Sequence, residues 1–436
     1  MQPKNVVAFS RKYVKFILLI LIVFSFGIDL GRFSVKSIDL EGGQTQSWWE
    51  IAYNVETGAG YKACNDYYVP NCGITEQFTA MREPLPVLVF ALVGRLSHNS
   101  ISVLAFVPIL MYFLTFAGIY MLGKSLGGIE TGLLSVLFWT FYLPQERVEA
   151  SLTGDLFASA FVIFGLILFV QAIKLNRLRD WLGFGAVMGL AVLSRSAALI
   201  IVLVLVSGYV VLFREKTVSF WDVAWKGGLS FVVLGLMISP WVIRNTLVFG
   251  EPVIGTSLIG FNLYRHNAIV GSDVPPHYVG PHESHAQVQA LVAAHPEMMM
   301  PLNEVQIDKI YRDEAVRLIR ENPFSYAKLV AYRVLPLLFN IGVVEQYGNQ
   351  ESIFDYISIV QQAVLLMLFV VGLRYGDKLF YLFGLAILVY SASYLAIGSQ
   401  LRYLIPVMPV VIIIGSFGFI KMWFAFDDAK SIKNNV

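Results

Sequence analysis

Residues 101–123 read ISVLAFVPILMYFLTFAGIYMLG, an apolar run without a single Asp, Glu, Lys or Arg. A helix needs about 20 mainly apolar residues to cross the hydrocarbon core of a bilayer, so this stretch is long enough to span one. Of the 436 residues in the chain, 57% are hydrophobic and 14% are charged, whereas a soluble domain carries about 25% charged residues. So little charge indicates that lipid is the solvent for much of the protein.

Apolar segments of spanning length recur from one end of the chain to the other. Those that we interpret as spans are 14–30, 101–123, 127–143, 155–173, 181–194, 196–213, 227–242, 355–373, 379–397 and 403–422. The first follows a basic N-terminus and lacks the small-residue cleavage site of a signal peptide, so we interpret it as uncleaved. The pattern predicts an all-α polytopic membrane protein with about ten transmembrane helices.

Basic loops set the expected orientation of these spans. The apolar piece from Pro84 to Leu96 is short and begins with two prolines. If it lies flat on the membrane, the basic clusters at 174–179 and 214–216 both fall on the inside, as the positive-inside rule requires. Both termini are then cytoplasmic, and we expect an integral protein of a bacterial inner (plasma) membrane.

This topology divides the chain into five parts. Within the fourth, alternating apolar and charged residues predict a soluble amphipathic helix from Glu304 to Glu321, which Asn322-Pro323 ends. The parts are 1–30, the cytoplasmic N-terminus and first span; 31–100, a first extracytoplasmic loop with juxtamembrane helices; 101–242, the transmembrane core; 243–354, a large extracytoplasmic segment; and 355–436, the C-terminal spans and cytoplasmic tail.

The chain has two cysteines, Cys64 and Cys72, in one polar loop. Cysteines clustered in this way predict a disulfide formed in an oxidising compartment, which agrees with an extracytoplasmic loop. Two free thiols are the alternative.

Six short motifs lie in the predicted outer loops or near the outer ends of apolar segments. They are WWEIAYNVETGAGY at 48–61, REPLP at 82–86, TGDLF at 153–157, LSRS at 193–196, PWVIRN at 240–245 followed by GFNLY at 260–264, and RYLIPVMP at 402–409. Over about residues 10–425, this arrangement resembles the membrane-embedded GT-C glycosyltransferases. The resemblance is greatest to the protein O-mannosyltransferases and lipid A aminoarabinose transferases of glycosyltransferase family 39.

The resemblance implies an enzyme that moves a sugar from a polyprenyl phosphate to an acceptor with inversion at the anomeric carbon. Such a reaction needs cations that hold the departing phosphate. Arginine binds phosphate bidentately and stays charged, and the motifs supply Arg82, Arg195, Arg244 and Arg402 for this role. Interfacial contact with lipid headgroups is the alternative role for these side chains.

The reaction also needs a carboxylate that takes the proton of the acceptor. By resemblance, the acid of the first loop would fall on Gln44, an amide that cannot accept a proton. The candidates for the base are therefore Asp155, Glu41 and Asp39. The alternative role of Asp155 is that of a helix N-terminal residue favoured by the helix dipole. The alternative for Glu41 and Asp39 is that of solvated loop charges. The motifs further place Trp48, Tyr61, Glu83 and Asn262 in the substrate-binding loops.

A metal site has weaker support in the sequence. His282 and His285 would share one face if their segment were helical, but the surrounding prolines, Pro275, Pro276 and Pro281, predict a loop. We assign no metal ligand, and a divalent metal stays open as a cofactor.

The leading hypothesis is an inverting transferase that uses an undecaprenyl- or dolichyl-linked sugar in the synthesis of a cell envelope glycan. The acceptor is a protein, a glycolipid or a polysaccharide. One alternative is a transporter or flippase for lipid-linked sugars, although we find no internal repeat of the kind many transporters carry. Another is a non-catalytic relative that binds such lipids. No basic patch is interleaved with stacking aromatics in a polar segment, which argues against a nucleic-acid partner.

Overall fold

A computed structural model describes residues 12–27, 43–73, 78–144, 152–212, 220–344, 346 and 352–433 of the protein. Among these residues the regular structure is helical, and the β-pairing consists of one isolated bridge between Lys62 and Phe78. The helices are α1 (12–27), α2 (Gly43–Glu56), α3 (Pro84–Ser97), α4 (Ile101–Gly127), α5 (Ile129–Thr140), α6 (Asp155–Leu175), α7 (Leu178–Ser194), α8 (Ala198–Leu212), α9 (Phe220–Phe249), α10 (Ile259–Asn267), α11 (Pro281–Ala294), α12 (Glu304–Glu321), α13 (Pro323–Tyr332), α14 (Val334–Phe339), α15 (Ile353–Tyr375), α16 (Lys378–Ile397) and α17 (Met408–Lys433). Short 3-10 turns follow α11, at Pro296–Met299, and α16, at Leu401–Leu404.

Within the described residues, six helices are long and apolar enough to cross a membrane: α4, α6, α9, α15, α16 and most of α17. Shorter apolar helices, α3, α5 and most of α8, accompany them. The predicted all-α multi-pass membrane architecture is therefore confirmed. Some bounds differ from the prediction: α9 extends well beyond both ends of 227–242, and the helix expected over 127–143 runs only from Ile129 to Thr140.

Helix α6 lies at the centre of the bundle. Of its most apolar 18-residue stretch, 72% is buried, compared with 22% for α15 and 17% for α9. It packs against α4 and α7, while α17 packs against α15 and α5. Apolar side chains along α9 such as Leu236 and Leu247 are exposed, as expected of a helix that faces lipid.

Helices α15 and α17 approach each other very closely at Gly372. A methyl group at this position would lie 2.0 Å from the carbonyl oxygen of Ile414. Small residues at such points allow membrane helices to pack backbone to backbone. The contact fixes the last span against its neighbour.

Helix α12 packs against α10. It begins with a capping box in which the Asn303 side chain accepts from the Gln306 amide at 2.9 Å, and it ends at Glu321, as the amphipathic pattern predicts. The Asp308 carboxylate accepts from the amides of Gly260 and Phe261 at 2.9 and 2.8 Å. These bonds seat α12 on the first turn of α10.

The segment around His282 and His285 is a helix, α11, so the predicted loop is wrong. Pro281 stands at its first position, where the missing N–H of proline has no helical partner to lose and its fixed φ suits a helix. The prolines therefore mark the start of the helix.

Candidate active site

Asp155 and Arg195 form an ion pair at one end of the bundle. Asp155 is the first residue of α6 and is 2% exposed, and Arg195 follows the last residue of α7. Arg195 Nη1 donates to Asp155 Oδ1, and the Thr153 hydroxyl donates to Asp155 Oδ2 at 3.4 Å. Removing one partner of a buried pair costs about 3–5 kcal/mol, so each residue holds the other in place.

Two tyrosines complete the surroundings of the Arg195 guanidinium. Arg195 Nε donates to the hydroxyl of Tyr394 at 3.1 Å, and the guanidinium carbon lies 5.0 Å from the ring centre of Tyr403. The two rings stack with their centres 4.8 Å apart. A cation held against aromatic rings and one carboxylate is positioned before any ligand arrives.

Glu83 reaches the same turn from the other side. Its Oε1 accepts from the backbone amide of Ser196 at 3.3 Å and from the Ser196 hydroxyl at 3.5 Å. Burial raises the pKa of the Glu83 carboxyl above its ordinary value, although Arg195 and Arg82 act in the opposite direction. Arg195 and Ser196, adjacent in sequence, thus bind two different acids.

Tyr61 connects this region to Arg244. Its hydroxyl donates to the carbonyl of Arg82 at 2.9 Å, and its own carbonyl accepts from Arg244 Nη2 at 3.1 Å. The Arg244 guanidinium also donates to the carbonyl of Thr79 at 2.8 Å and lies 5.3 Å from the ring centre of Trp241. Arg244 and Asp155 are therefore linked through contiguous contacts at the same end of the bundle.

Arg82 is held by the first loop. Its Nε and Nη2 donate to the hydroxyl of Ser47 at 2.9 and 2.6 Å. Its guanidinium carbon lies 5.7 Å from the ring centres of both Trp48 and Tyr68. Trp48 also approaches α6, because a methyl group at Gly154 would lie 3.2 Å from its ring.

A group of cations surrounds Tyr403. The guanidinium carbon of Arg402 lies 5.1 Å from its ring centre. Burial raises the pKa of the Tyr403 hydroxyl, but Arg402, Arg195 and Arg265 outweigh this effect and lower the pKa below its ordinary value. Three guanidinium groups therefore place positive charge around the Tyr403 hydroxyl.

A small apolar cavity lies inside the bundle, about two helical turns along α6 from Asp155. Its volume is about 10 Å³, roughly the space of one water molecule. Its lining comes from α6, α8, α16 and the start of α17: Val162, Leu166, Ile201, Leu205, Phe383, Ala386, Ile387, Val407 and Val410. The interior of the bundle is therefore closely packed and apolar at this depth.

Comparison with known proteins agrees with this architecture. Residues 82–243 match the model of a family described as dolichyl-phosphate-mannose-protein mannosyltransferase. Among solved structures, the apo oligosaccharyltransferase from Archaeoglobus fulgidus is 15% identical with a TM-score of 0.55, over 97% of this chain and 52% of that one. The same organism's oligosaccharyltransferase AglB, in complex with an inhibitory peptide and a dolichol-phosphate, gives 13% identity and a TM-score of 0.52, over 98% and 52%. The chain has a GT-C fold.

ArnT from Cupriavidus metallidurans bound to undecaprenyl phosphate is a further GT-C structure that matches, with 12% identity, a TM-score of 0.40 and coverage of 91% of this chain and 77% of ArnT. No curated protein sequence matches the chain significantly. The chain spans about half the length of the oligosaccharyltransferases it matches. At these identities the likeness concerns the GT-C fold, and that part of the sequence-based resemblance is confirmed.

The GT-C fold gathers most of the predicted site residues at one end of the bundle. Asn262 donates to the carbonyl of Leu258, one turn back in α10. Asp39 and Glu41 lie outside the described residues, as does the side chain of Gln44. Cys64 and Cys72 form a disulfide beside α2, where the amide of Cys64 donates to Glu50 at 3.0 Å.

Sequence reasoning missed several members of this GT-C site. Arg265 adds positive charge near Tyr403. Next to it, burial and the neighbouring Arg265 and Arg333 guanidinium groups lower the pKa of His266 well below its ordinary value. Tyr394, whose hydroxyl accepts a hydrogen bond from Arg195, was also missed. The RYLIPVMP motif contains Tyr403, but an aromatic residue in an apolar stretch does not by itself indicate contact with a cation.

The residues described do not assemble a metal centre. No group of three or more His, Cys, Asp or Glu side chains within them is arranged to hold an ion. His285 stacks on the ring of Tyr67, with centres 5.8 Å apart, and His277 Nε2 lies 2.8 Å from Glu283 Oε2. The oligosaccharyltransferase from Archaeoglobus fulgidus was crystallised in complex with Zn and sulfate.

Proposed function

We propose that the chain is an inverting glycosyltransferase that moves a sugar from a polyprenyl-phosphate donor to a hydroxyl-bearing acceptor. The acceptor is a protein, a glycolipid or a polysaccharide on the extracytoplasmic face. The observation that carries this proposal is the Arg195 guanidinium, held by Asp155 and two tyrosine rings at one end of a bundle of apolar helices. A phosphate fits beside the guanidinium, and a hydrocarbon chain fits against the apolar helices.

Arg195 binds the donor phosphate in this mechanism. It stabilises the additional negative charge that the phosphate gains as the bond to the sugar breaks. Arg402, whose guanidinium carbon lies 5.1 Å from the ring centre of Tyr403, adds positive charge. Asp155 keeps Arg195 in a fixed position, so little reorganisation is needed during the reaction.

The isoprenoid tail of the donor stays in the bilayer, against the apolar helices of the bundle, so it does not meet water. The family match over residues 82–243 supports a prenyl-phosphate donor, as does the dolichol-phosphate in the AglB complex.

The outer segments provide the side from which the acceptor approaches. Helices α10 to α12 lie beside the first loop, and α12 contacts that loop through Glu304, which accepts from the amide of Ala80 at 2.9 Å. Arg82 and Trp48 contribute to the same wall. An acceptor bound here meets the sugar at the end of the lipid.

The first experiment compares cells that make the chain with otherwise identical cells that lack it. Mass spectrometry should show that the lipid-linked donor accumulates without the chain. One envelope glycan, glycolipid or glycoprotein should lose the mass of one sugar. This donor and this acceptor are then incubated with the purified protein in detergent. Because detergent micelles have no two compartments, covalent transfer there distinguishes an enzyme from a flippase.

Substitution of one arginine locates the phosphate site. Arg195→Gln should lower transfer at least about tenfold, because charge-assisted hydrogen bonds contribute about 1.5–3 kcal/mol each. Arg179→Gln is the matched control, since Arg179 lies near the other end of α7 with 74% of its side chain exposed. Equal activity of the two variants would contradict the assignment.

A further inference from the structure

The two acids at the turn Arg195-Ser196 are held in different ways. Asp155 is 2% exposed, with Oδ1 bound to Arg195 and Oδ2 bound to Thr153. Its two oxygens are therefore both occupied by side chains of the protein. This arrangement positions a guanidinium.

Glu83 has one oxygen anchored and one available. Oε1 accepts from the amide and hydroxyl of Ser196, whereas no other described residue donates a hydrogen bond to Oε2. The side chain is partly exposed, unlike that of Asp155. Such a carboxylate accepts a proton from a bound group without first breaking an ion pair.

The backbone at Glu83 is fixed as well. Glu83 is the residue before α3, with extended φ and ψ of −67° and 144°, and proline follows it, which disfavours the helical conformation. Its carbonyl accepts from the hydroxyl of Tyr61 at 3.3 Å. The carboxylate is thus held by its backbone and by one oxygen, so its free oxygen keeps a constant direction.

We infer that Glu83 is the general base of the reaction proposed above, and that Asp155 is a positioning residue for Arg195. The inference rests on the proposed function. The acceptor hydroxyl oxygen forms a bond to the anomeric carbon while the bond from that carbon to the donor phosphate oxygen breaks. Its electron pair leaves with the lipid phosphate, and the acceptor proton passes to Glu83 Oε2. No further reactant is required.

The electrostatic surroundings suit this division of roles. Burial raises the pKa of Glu83, which makes its carboxylate a stronger proton acceptor than an exposed one. Arg195 and Arg82 act against this effect and favour the ionised form. After proton transfer, the neutral acid is the form that a partly buried site favours.

The test uses the full-length protein in detergent, with the donor that accumulates in cells lacking the chain. Glu83→Gln should lower kcat by at least about a hundredfold, the contribution of a positioned base. Binding of undecaprenyl phosphate, measured by native mass spectrometry, should stay within about threefold of wild type. Glu251→Gln is the control, because Glu251 is exposed just beyond α9, the helix that carries Arg244.

A pH profile separates a base from an anchor. The wild-type kcat should fall on the acidic side as Glu83 becomes protonated, and this acidic limb should be absent from the residual activity of Glu83→Gln. A variant that keeps more than a third of kcat, or keeps the acidic limb, would overturn the inference. Parallel loss of undecaprenyl phosphate binding and activity would also overturn it. If wild-type protein transfers no sugar, the proposed function itself fails.

Discussion

Exchanging Glu304 for Gln should remove a pH dependence from the outer segments. Glu304 is 2% exposed, and burial raises the pKa of its carboxyl from 4.5 to about 7. The hydroxyl of Thr79 donates to Oε2 at 2.5 Å and the amide of Ala80 donates to Oε1 at 2.9 Å. These bonds favour the ionised form but do not outweigh the lost hydration. The neutral acid is therefore the form that the fold stabilises.

The direction of the effect follows from this raised pKa. The pKa of the folded protein lies above that of the unfolded chain, so the stabilisation from Glu304 is complete below about pH 4.5 and is lost as the pH rises through about 7. The full difference between these two pKa values corresponds to about 3 kcal/mol in the free energy of unfolding. Of this, about 2 kcal/mol is lost between about pH 5.5 and 8. An amide does not ionise, so Glu304→Gln lacks this loss.

Hydrogen exchange measures the effect where it occurs. After correction for the intrinsic rate, protection of α12 in the wild type should fall by about thirtyfold more between pH 5.5 and 8 than in Glu304→Gln. Asp308, whose pKa burial raises to about 6, titrates in the same helix and is present in both proteins. Glu321→Gln, an exposed control on α12, should behave as the wild type does. The reasoning is refuted if wild type and Glu304→Gln lose protection in parallel.

Three further substitutions test the packing and the caps. Gly372→Ala should destabilise the contact between α15 and α17 by about 1–3 kcal/mol and lower the melting temperature. Gly235→Ala is the control, because a methyl group there meets nothing within 4 Å, and equal melting temperatures of the two variants would contradict the close approach. Replacing Cys64 and Cys72 by Ser should cost about 2–3 kcal/mol and speed proteolysis of their loop, and an unchanged cleavage rate would speak against the disulfide. Asn303→Ala should cost about 1 kcal/mol, seen as faster hydrogen exchange in the first turn of α12, and unaltered exchange there would rule out the cap.

Hydropathy predicts the membrane helices well because burial in lipid depends on the composition of a segment more than on its partners. The runs that become α4 and α6 carry almost no charge, and their positions follow directly. The ends of α9 are harder to place, since its additional turns include charged residues such as Asp222 and Arg244. Asp222 is satisfied within the helix by Lys226 at 2.8 Å, whereas Arg244 is satisfied by the distant carbonyls of Thr79 and Tyr61.

The candidate site is predictable only in part. Asp155 and Arg195 stand out because charged residues are rare beside apolar runs. The contacts around them do not stand out in the sequence. Tyr394 contacts Arg195 from 199 positions along the chain, and Ser196 contacts Glu83 from 113 positions. Nothing in a single sequence records such distances. From these contacts we propose a positioning role for Asp155 and the role of general base for Glu83.

The hairpin between α7 and α8 has a mechanical consequence. At its tip, Arg195 binds Asp155 and the next residue, Ser196, binds Glu83. Asp155 begins α6 and Glu83 precedes α3, so these two contacts tie the hairpin to two other helices. Outward displacement of the tip has to break both contacts, so the hairpin keeps its position while an acceptor binds.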